Sequence, residues 1–155
     1  MKVTICAVGR LRSGPERELI DDYLMRFDRT GRALGLGPVN VVEVEDKKGG
    51  GMASEGALLS RTVPEGAVLC VLDERGSVVT SSEFAGWLAD WRDQGRDLAF
   101  VIGGPDGIDP DLRSRADRAL SFGSMVWPHM LARVMLAEQL YRAATILAGG
   151  PYHRA

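Results

Sequence analysis

The chain has only two histidines and two cysteines, and neither pair is spaced to hold a metal. Cys6 and Cys70 lie far apart, with no C-x-x-C spacing, each inside an apolar run. That usage fits packing residues in a reducing cytosol rather than a disulfide framework. Long hydrophobic runs are also missing. Ala67–Leu72 and Leu98–Ile102 are strand-sized and fall well short of the roughly 20 residues a membrane span requires. The apolar stretch Val3–Val8 is too short for a secretory signal and reads as a first strand, so a cytoplasmic protein without a membrane partner is expected. The absence of G-x-x-x-x-G-K-S/T removes a phosphate-cradling loop, and that of G-x-S-x-G a serine-hydrolase elbow. A net charge of −2 excludes an indiscriminate nucleic-acid coat.

What is present is an ordinary globular balance over 155 residues, 45% apolar and 26% charged, enough for one domain spanning residues 1–155. Strand-like and helical segments alternate. Strands are expected at Val3–Val8, Val39–Val44, Ala67–Leu72, Leu98–Ile102 and Ser121–Val126. Pro15 suits a first helical turn, and Leu19, Ile20, Tyr23, Leu24 and Phe27 make a stripe at helical spacing. Further helices are expected near Ser54–Thr62, from the capping box Thr80-x-x-Glu83 onward, over Asp109–Leu120 and over Met130–Ala148. Phe84, Trp87, Leu88 and Trp91 share a stripe and read as core. Such alternation predicts an α/β fold, a parallel sheet in a three-layer α/β/α arrangement.

In open parallel sheets, ligands settle beyond the carboxyl ends of the strands. Three loops qualify: Asp73–Ser77, Gly103–Gly107 and Trp127–His129. Gly103-Gly104-Pro105-Asp106-Gly107 is not G-x-G-x-x-G, which weakens a dinucleotide reading, but three glycines permit close approach of bare main chain to a flat ligand. With no phosphate grip, the expected ligand is an uncharged or cationic cofactor. The other informative region is the end of the chain. From Leu120 onward, Arg133, Arg142 and Arg154 face Glu138 alone, both histidines (His129 and His153) are here, and Gly149-Gly150 breaks the last helix before Pro151-Tyr152-His153-Arg154-Ala155. A basic, histidine-bearing end is suited to an anionic partner.

Taken in order, Leu72-Asp73-x-Arg75-Gly76, Ile102-Gly103-Gly104-Pro105-Asp106-Gly107, Met125-x-x-Pro128-His129, Arg133-x-x-Leu136-x-Glu138-Gln139-Leu140-Tyr141-Arg142-Ala143 and Pro151-Tyr152-His153-Arg154 closely resemble one family. It is the bacterial 23S rRNA pseudouridine N3-methyltransferase family of the SPOUT superfamily. The resemblance implies a C-terminal trefoil knot, which periodicity does not suggest and which is rare among folds. It implies S-adenosyl-L-methionine (AdoMet) as cofactor, contacted at Leu72, Gly103, Phe122, Gly123, Ser124, Met125, Val126 and Trp127. Gly123 and Val126 depart from the serine and threonine common in that family. The implied substrate is N3 of a pseudouridine in the helix 69 region of 23S rRNA, within the assembled ribosome, and no metal is implied.

For that reaction the candidates are His153 as base or orienting group, Arg142 as a cation for the developing oxyanion, Tyr152 as a stacking platform and Arg154 as a phosphate partner. His129 reads as a positioning residue for its loop. The helix over Met130–Ala148 is apolar on more than one face, which agrees with the homodimer the resemblance implies, the tail of one subunit completing the pocket of the other. A non-catalytic ribosome-binding factor using the same basic end, and a flavodoxin-like module for another small ligand, are the alternatives. Lys47 and Lys48 either grip RNA or solvate a glycine-rich loop, solvation being the default.

Overall fold

The computed structural model describes residues 1–154. Five parallel strands form one sheet in the order β2-β1-β4-β3-β5, with β1 at Val3–Val8, β2 at Val39–Val44, β3 at Val68–Val78, β4 at Leu98–Ile102 and β5 at Arg118–Ser121. Five α-helices connect or follow them: α1 Pro15–Gly31, α2 Gly51–Thr62, α3 Ser81–Asp93, α4 Pro110–Ser114 and α5 His129–Ala148. A 3-10 turn at Arg32–Leu34 follows α1.

The alternation of side chains along each strand explains the layers. Val3, Ile5 and Ala7 of β1, Val68 and Cys70 of β3, and Leu98, Phe100 and Ile102 of β4 pack with Ile20, Leu24 and Phe27 of α1, Phe84 and Leu88 of α3, and Leu136 and Leu140 of α5. Cys6 and Val8, Leu69 and Val71, and Val101 point the other way, toward Leu59 of α2 and Leu112 of α4. The arrangement is three-layer α/β/α. Strands covered on both faces read as continuous apolar runs, and β4 is buried at every residue.

The capping box forms as expected. Thr80 Oγ1 accepts from Glu83 N at 3.1 Å and Glu83 Oε2 accepts from Thr80 N at 3.1 Å, which fixes the start of α3. Both cysteines are buried within strands, where burial pushes the Cys70 thiol up to about 12. Neither is a thiolate at neutral pH by that reasoning.

Two expectations about the second half need correction. The helix expected over Asp109–Leu120 closes after one turn, at Ser114, and the last strand runs over Arg118–Ser121 instead of Ser121–Val126. Asp117 sets this register: its carboxylate accepts from Leu69 N at 2.9 Å while its own N–H donates to Leu69 O at 2.8 Å. Leu120 then falls on the core side, buried against the sheet. The second correction concerns Asp73–Ser77. It is not a free loop but a bulge inside β3, with Leu120 facing both Leu72 and Ser77 across the register shift. Gly76 permits it, since a Cβ there would come within 2.6 Å of the Ala119 carbonyl.

A glycine-lined cleft and a charged C-terminal cluster

Beyond the carboxyl ends of β4 and β5, and against the bulge of β3, lies a cleft of about 540 Å³. The bulge Leu72–Arg75, the loop Gly103–Ile108 and the segment Met125–His129 line it, together with Phe122, Gly123 and Ala132. Of the residues at which the family resemblance implies cofactor contact, Leu72, Gly103, Phe122, Gly123, Met125, Val126 and Trp127 are brought together here, while Ser124 is exposed and outside the lining.

Local geometry explains the glycines. The loop is closed by Gly107 N donating to Gly104 O at 3.0 Å, and Ile108 is buried behind it. A Cβ on Gly103 would collide with the Gly107 carbonyl, so only a bare peptide unit fits there. Gly123 has φ of +112°, a left-handed backbone that a side chain resists, so glycine is at ease where a serine would be strained. Its N–H donates to Ser121 Oγ at 3.1 Å, and that hydroxyl also reaches Glu74 O at 3.1 Å, tying the segment to the bulge.

One ion-pair set stands on the cleft wall. Asp73 is buried and accepts from Arg75 N, Nε and Nη2 at 2.9, 3.0 and 3.1 Å and from Arg113 Nη1 at 3.2 Å. Burial pushes its carboxyl up, but the Arg75 and Arg113 bonds outweigh that and hold it below the usual carboxylate value. A second buried charge, Arg133, sits one turn into α5 at 2% exposure. It donates to Glu43 Oε2 at 2.7 Å and to the Gly9 carbonyl at 3.2 Å, clamping the ends of β1 and β2 onto α5. The sequence reading counted Arg133 among the charges of the basic end; its real partners come from residues far away in the chain, which spacing does not reveal.

The tail residues gather elsewhere. Gly149 in the left-handed conformation ends α5, and Gly150 N donates to Thr145 O at 2.9 Å, turning the chain back along the helix. Glu138 is the hub. Its Oε1 accepts from Arg142 Nη2 at 2.6 Å, Arg142 Nε at 3.0 Å and Tyr152 OH at 3.0 Å, and its Oε2 from Gln139 Nε2 at 3.1 Å. Arg142 Nη1 lies 3.2 Å from His153 Nδ1. A guanidinium can only donate, so Nδ1 must be the acceptor and the proton of the neutral imidazole sits on Nε2. Arg142 also lies over the Tyr152 ring at 4.8 Å, and Tyr152 packs on Tyr141 at 4.6 Å between centroids. Burial and the Glu138 bond push the Tyr152 phenol up to about 12, so it remains a donor. Arg154 is exposed.

Arg142, Tyr152 and His153 are thus one unit, but none of them, nor Arg154, lines the cleft of their own chain. Arg142 follows the lining residue Ala132 by ten residues of α5, about 15 Å at ~1.5 Å per residue. Among the described residues, no group of three or more His, Cys, Asp or Glu is placed to hold a metal ion. No helix among them is long and apolar enough to cross a membrane.

Residues 1–153 match the family described as "Predicted SPOUT methyltransferase", and the chain belongs to the SPOUT methyltransferase family. Two relatives, from Dinoroseobacter shibae (strain DSM 16493 / NCIMB 14021 / DFL 12) and Ruegeria pomeroyi (strain ATCC 700808 / DSM 15171 / DSS-3), are each 72% identical over 155 residues, 99% of both chains. Each carries the name Ribosomal RNA large subunit methyltransferase H. A solved structure of a probable methylase family protein from Haemophilus influenzae Rd KW20 shares the fold at a TM-score of 0.53 and 11% identity, covering 99% of this chain and 70% of that one.

Proposed function

We propose that this protein is an AdoMet-dependent methyltransferase acting on N3 of a pseudouridine in the helix 69 region of 23S rRNA, in the assembled ribosome of the cytoplasm, and that it works as a homodimer. The observation that carries the reading is the cleft: main chain at Gly103 and Gly107, with no cationic phosphate cradle, suits a cofactor that is cationic and flat at its adenine end. Membership of a methyltransferase family and the names of relatives identical at 72% support the reaction and the substrate class. A knotted path through the C-terminal half goes with the same reading, supported by the meeting of residues 103–107 and 122–128 at one cleft.

When bound, the cofactor supplies a methyl group already activated on a sulfonium. The remaining work falls to the chain. Peptide groups at Leu72, Gly103 and the 122–127 segment hold the cofactor, leaving the side chains to align a ring nitrogen for in-line attack. That nitrogen lies between two carbonyls. If its proton has a pKa about two units above neutral, ionising it costs about 3 kcal/mol at ~1.4 kcal/mol per unit. Arg142 and the Nε2–H of His153 are suited to stabilise charge developing on a carbonyl oxygen, and Tyr152 to stack on the base.

Dimerisation supplies the missing proximity. A tail about 15 Å along α5 from its own cleft needs a second copy to reach cofactor, and an apolar strip at the cleft mouth is available for one. Val126 is 82% exposed there, continuous with Met125, Trp127, Met130 and Leu131. The test is methylation of ribosomes lacking the modification, read as label transfer from AdoMet and as a 14 Da mass gain on one 23S rRNA fragment, with calorimetry of AdoMet binding alongside. Label in that fragment is expected. Ribosome co-sedimentation without cofactor binding would replace this reading with a non-catalytic ribosome-binding factor.

A further inference from the structure

The methyl transfer proposed above needs a group to receive the ring-nitrogen proton, and the tail imidazole is poorly placed to do so. His153 already accepts from Arg142 at Nδ1, which leaves Nε2 carrying a hydrogen and able only to donate. The other histidine differs on each point. His129 lines the cleft at the first residue of α5. Among the described residues neither of its ring nitrogens has a hydrogen-bond partner. Its Cε1 lies 3.7 Å from the position a Cβ on Gly9 would occupy, so the bare backbone of Gly9, with φ of +91°, adjoins the edge of the ring.

The other titratable groups lining the cleft are committed or solvated. Asp73 spends both oxygens on Arg75 and Arg113, Arg75 is a cation, and Glu74 and Asp106 are exposed to water. We infer that His129 is a catalytic residue, the proton acceptor of the cleft, with His153 of the tail acting as donor to a carbonyl oxygen of the same base. The inference rests on the pseudouridine reading. The ring-nitrogen pair forms the new N–C bond, the S–C pair stays with sulfur, and the nitrogen's proton passes to His129, which becomes an imidazolium and later releases it to water.

The surroundings suit that role. Burial first, and the Arg133 cation one turn along α5 second, hold the His129 imidazole below its ordinary range, so it is neutral and ready to accept at physiological pH. Arg133 is itself paired across to Glu43 of β2, and the charged groups across the cleft are Asp73, Glu74, Arg75 and Asp106.

With only two histidines in the chain, the ring protons can be followed by NMR in the free protein, and His153→Gln assigns them. His129 is expected to be uncharged at about pH 7.5; an imidazolium at that pH overturns the inference. On ribosomes, kcat/KM of the parent should fall on acidification through the His129 titration and be flat above about pH 7. In His129→Gln the substrate proton must leave to water beforehand, so the rate should drop about a hundredfold at pH 7 and climb roughly tenfold per unit toward pH 9. His153→Gln should be slower but keep the acid limb. A His129→Gln protein that retains the acid limb, or loses rate only as far as it loses AdoMet affinity, overturns the assignment. If the parent methylates nothing while binding ribosomes, the methyltransferase reading itself has failed, and the NMR result still stands for the imidazole.

Discussion

The cleft and the C-terminal cluster are built on opposite plans. In the cleft, Gly103, Gly104, Gly107 and Gly123 bring bare peptide backbone to the surface. In the cluster the surface is side chain, with four donor atoms, from Arg142, Tyr152 and Gln139, converging on one carboxylate, Glu138. Backbone sites tolerate changes of side-chain chemistry around them and fail when a Cβ is added. Side-chain sites tolerate small steric changes and fail when one charge is removed, because the remaining partners keep their desolvation cost without their bonds.

Gly103→Ala should break the first plan most severely. The added methyl meets the Gly107 carbonyl, so the turn must open, and AdoMet affinity by calorimetry should fall at least a hundredfold, about 2.7 kcal/mol. An affinity within a factor of three of the parent would mean that the bare peptide at Gly103 is not the recognition surface. Glu138→Gln attacks the second plan. It releases Arg142 and Tyr152 together, and methyl transfer should drop roughly tenfold to a hundredfold, in line with ~1.5–3 kcal/mol for bonds to a charged group, while cofactor affinity stays within about twofold. Parallel loss of both quantities would erase the distinction between the two regions.

Tyr152→Phe sharpens the same contrast at lower amplitude, since it removes one hydroxyl and leaves the ring on Tyr141 and Arg142. About a threefold to tenfold loss of rate is expected, with unchanged AdoMet affinity. The smallest effect concerns acid stability. Asp73 has its folded pKa depressed, so the stability it contributes is present above the ordinary carboxylate value and is lost as pH falls through the folded one. Thermal melting of the parent should therefore decline more steeply than that of Asp73→Asn as pH falls below about 4. Equal slopes would remove Asp73 from the acid response.

Much of this frame was legible in the residues. Val3–Val8, Val39–Val44 and Leu98–Ile102 have the ends expected of them, and the Thr80-Glu83 box sets the first turn of α3, because short-range pattern and chemistry decide such elements. The extent of β5 was not legible. Arg118-Ala119-Leu120-Ser121 carries no strand pattern of its own, and its place is set by Asp117 reaching Leu69 from far along the chain. The same holds for Arg133, whose burial depends on Glu43 and Gly9. At the site, the glycines and the tail motif stood out as residues, and the helix between them was expected; that Arg142, Tyr152 and His153 gather on Glu138 and do not line the cleft of their own chain depends on tertiary packing, which spacing in sequence does not give. For His129 the loop position is evident in the sequence, but its place in the cleft lining, with no hydrogen-bond partner on its ring nitrogens among the described residues, is not.

The central claim is that cleft and tail, apart within one chain, make a single active site between two copies. Mixing Gly103→Ala with Arg142→Ala protein after subunit exchange tests it directly. In a two-fold dimer each mixed pair would hold one site with both halves intact, so a one-to-one mixture should recover about a quarter of the parent's methyl-transfer rate although each variant alone is inactive. A mixture that exchanges subunits and stays as inactive as its components would contradict the account.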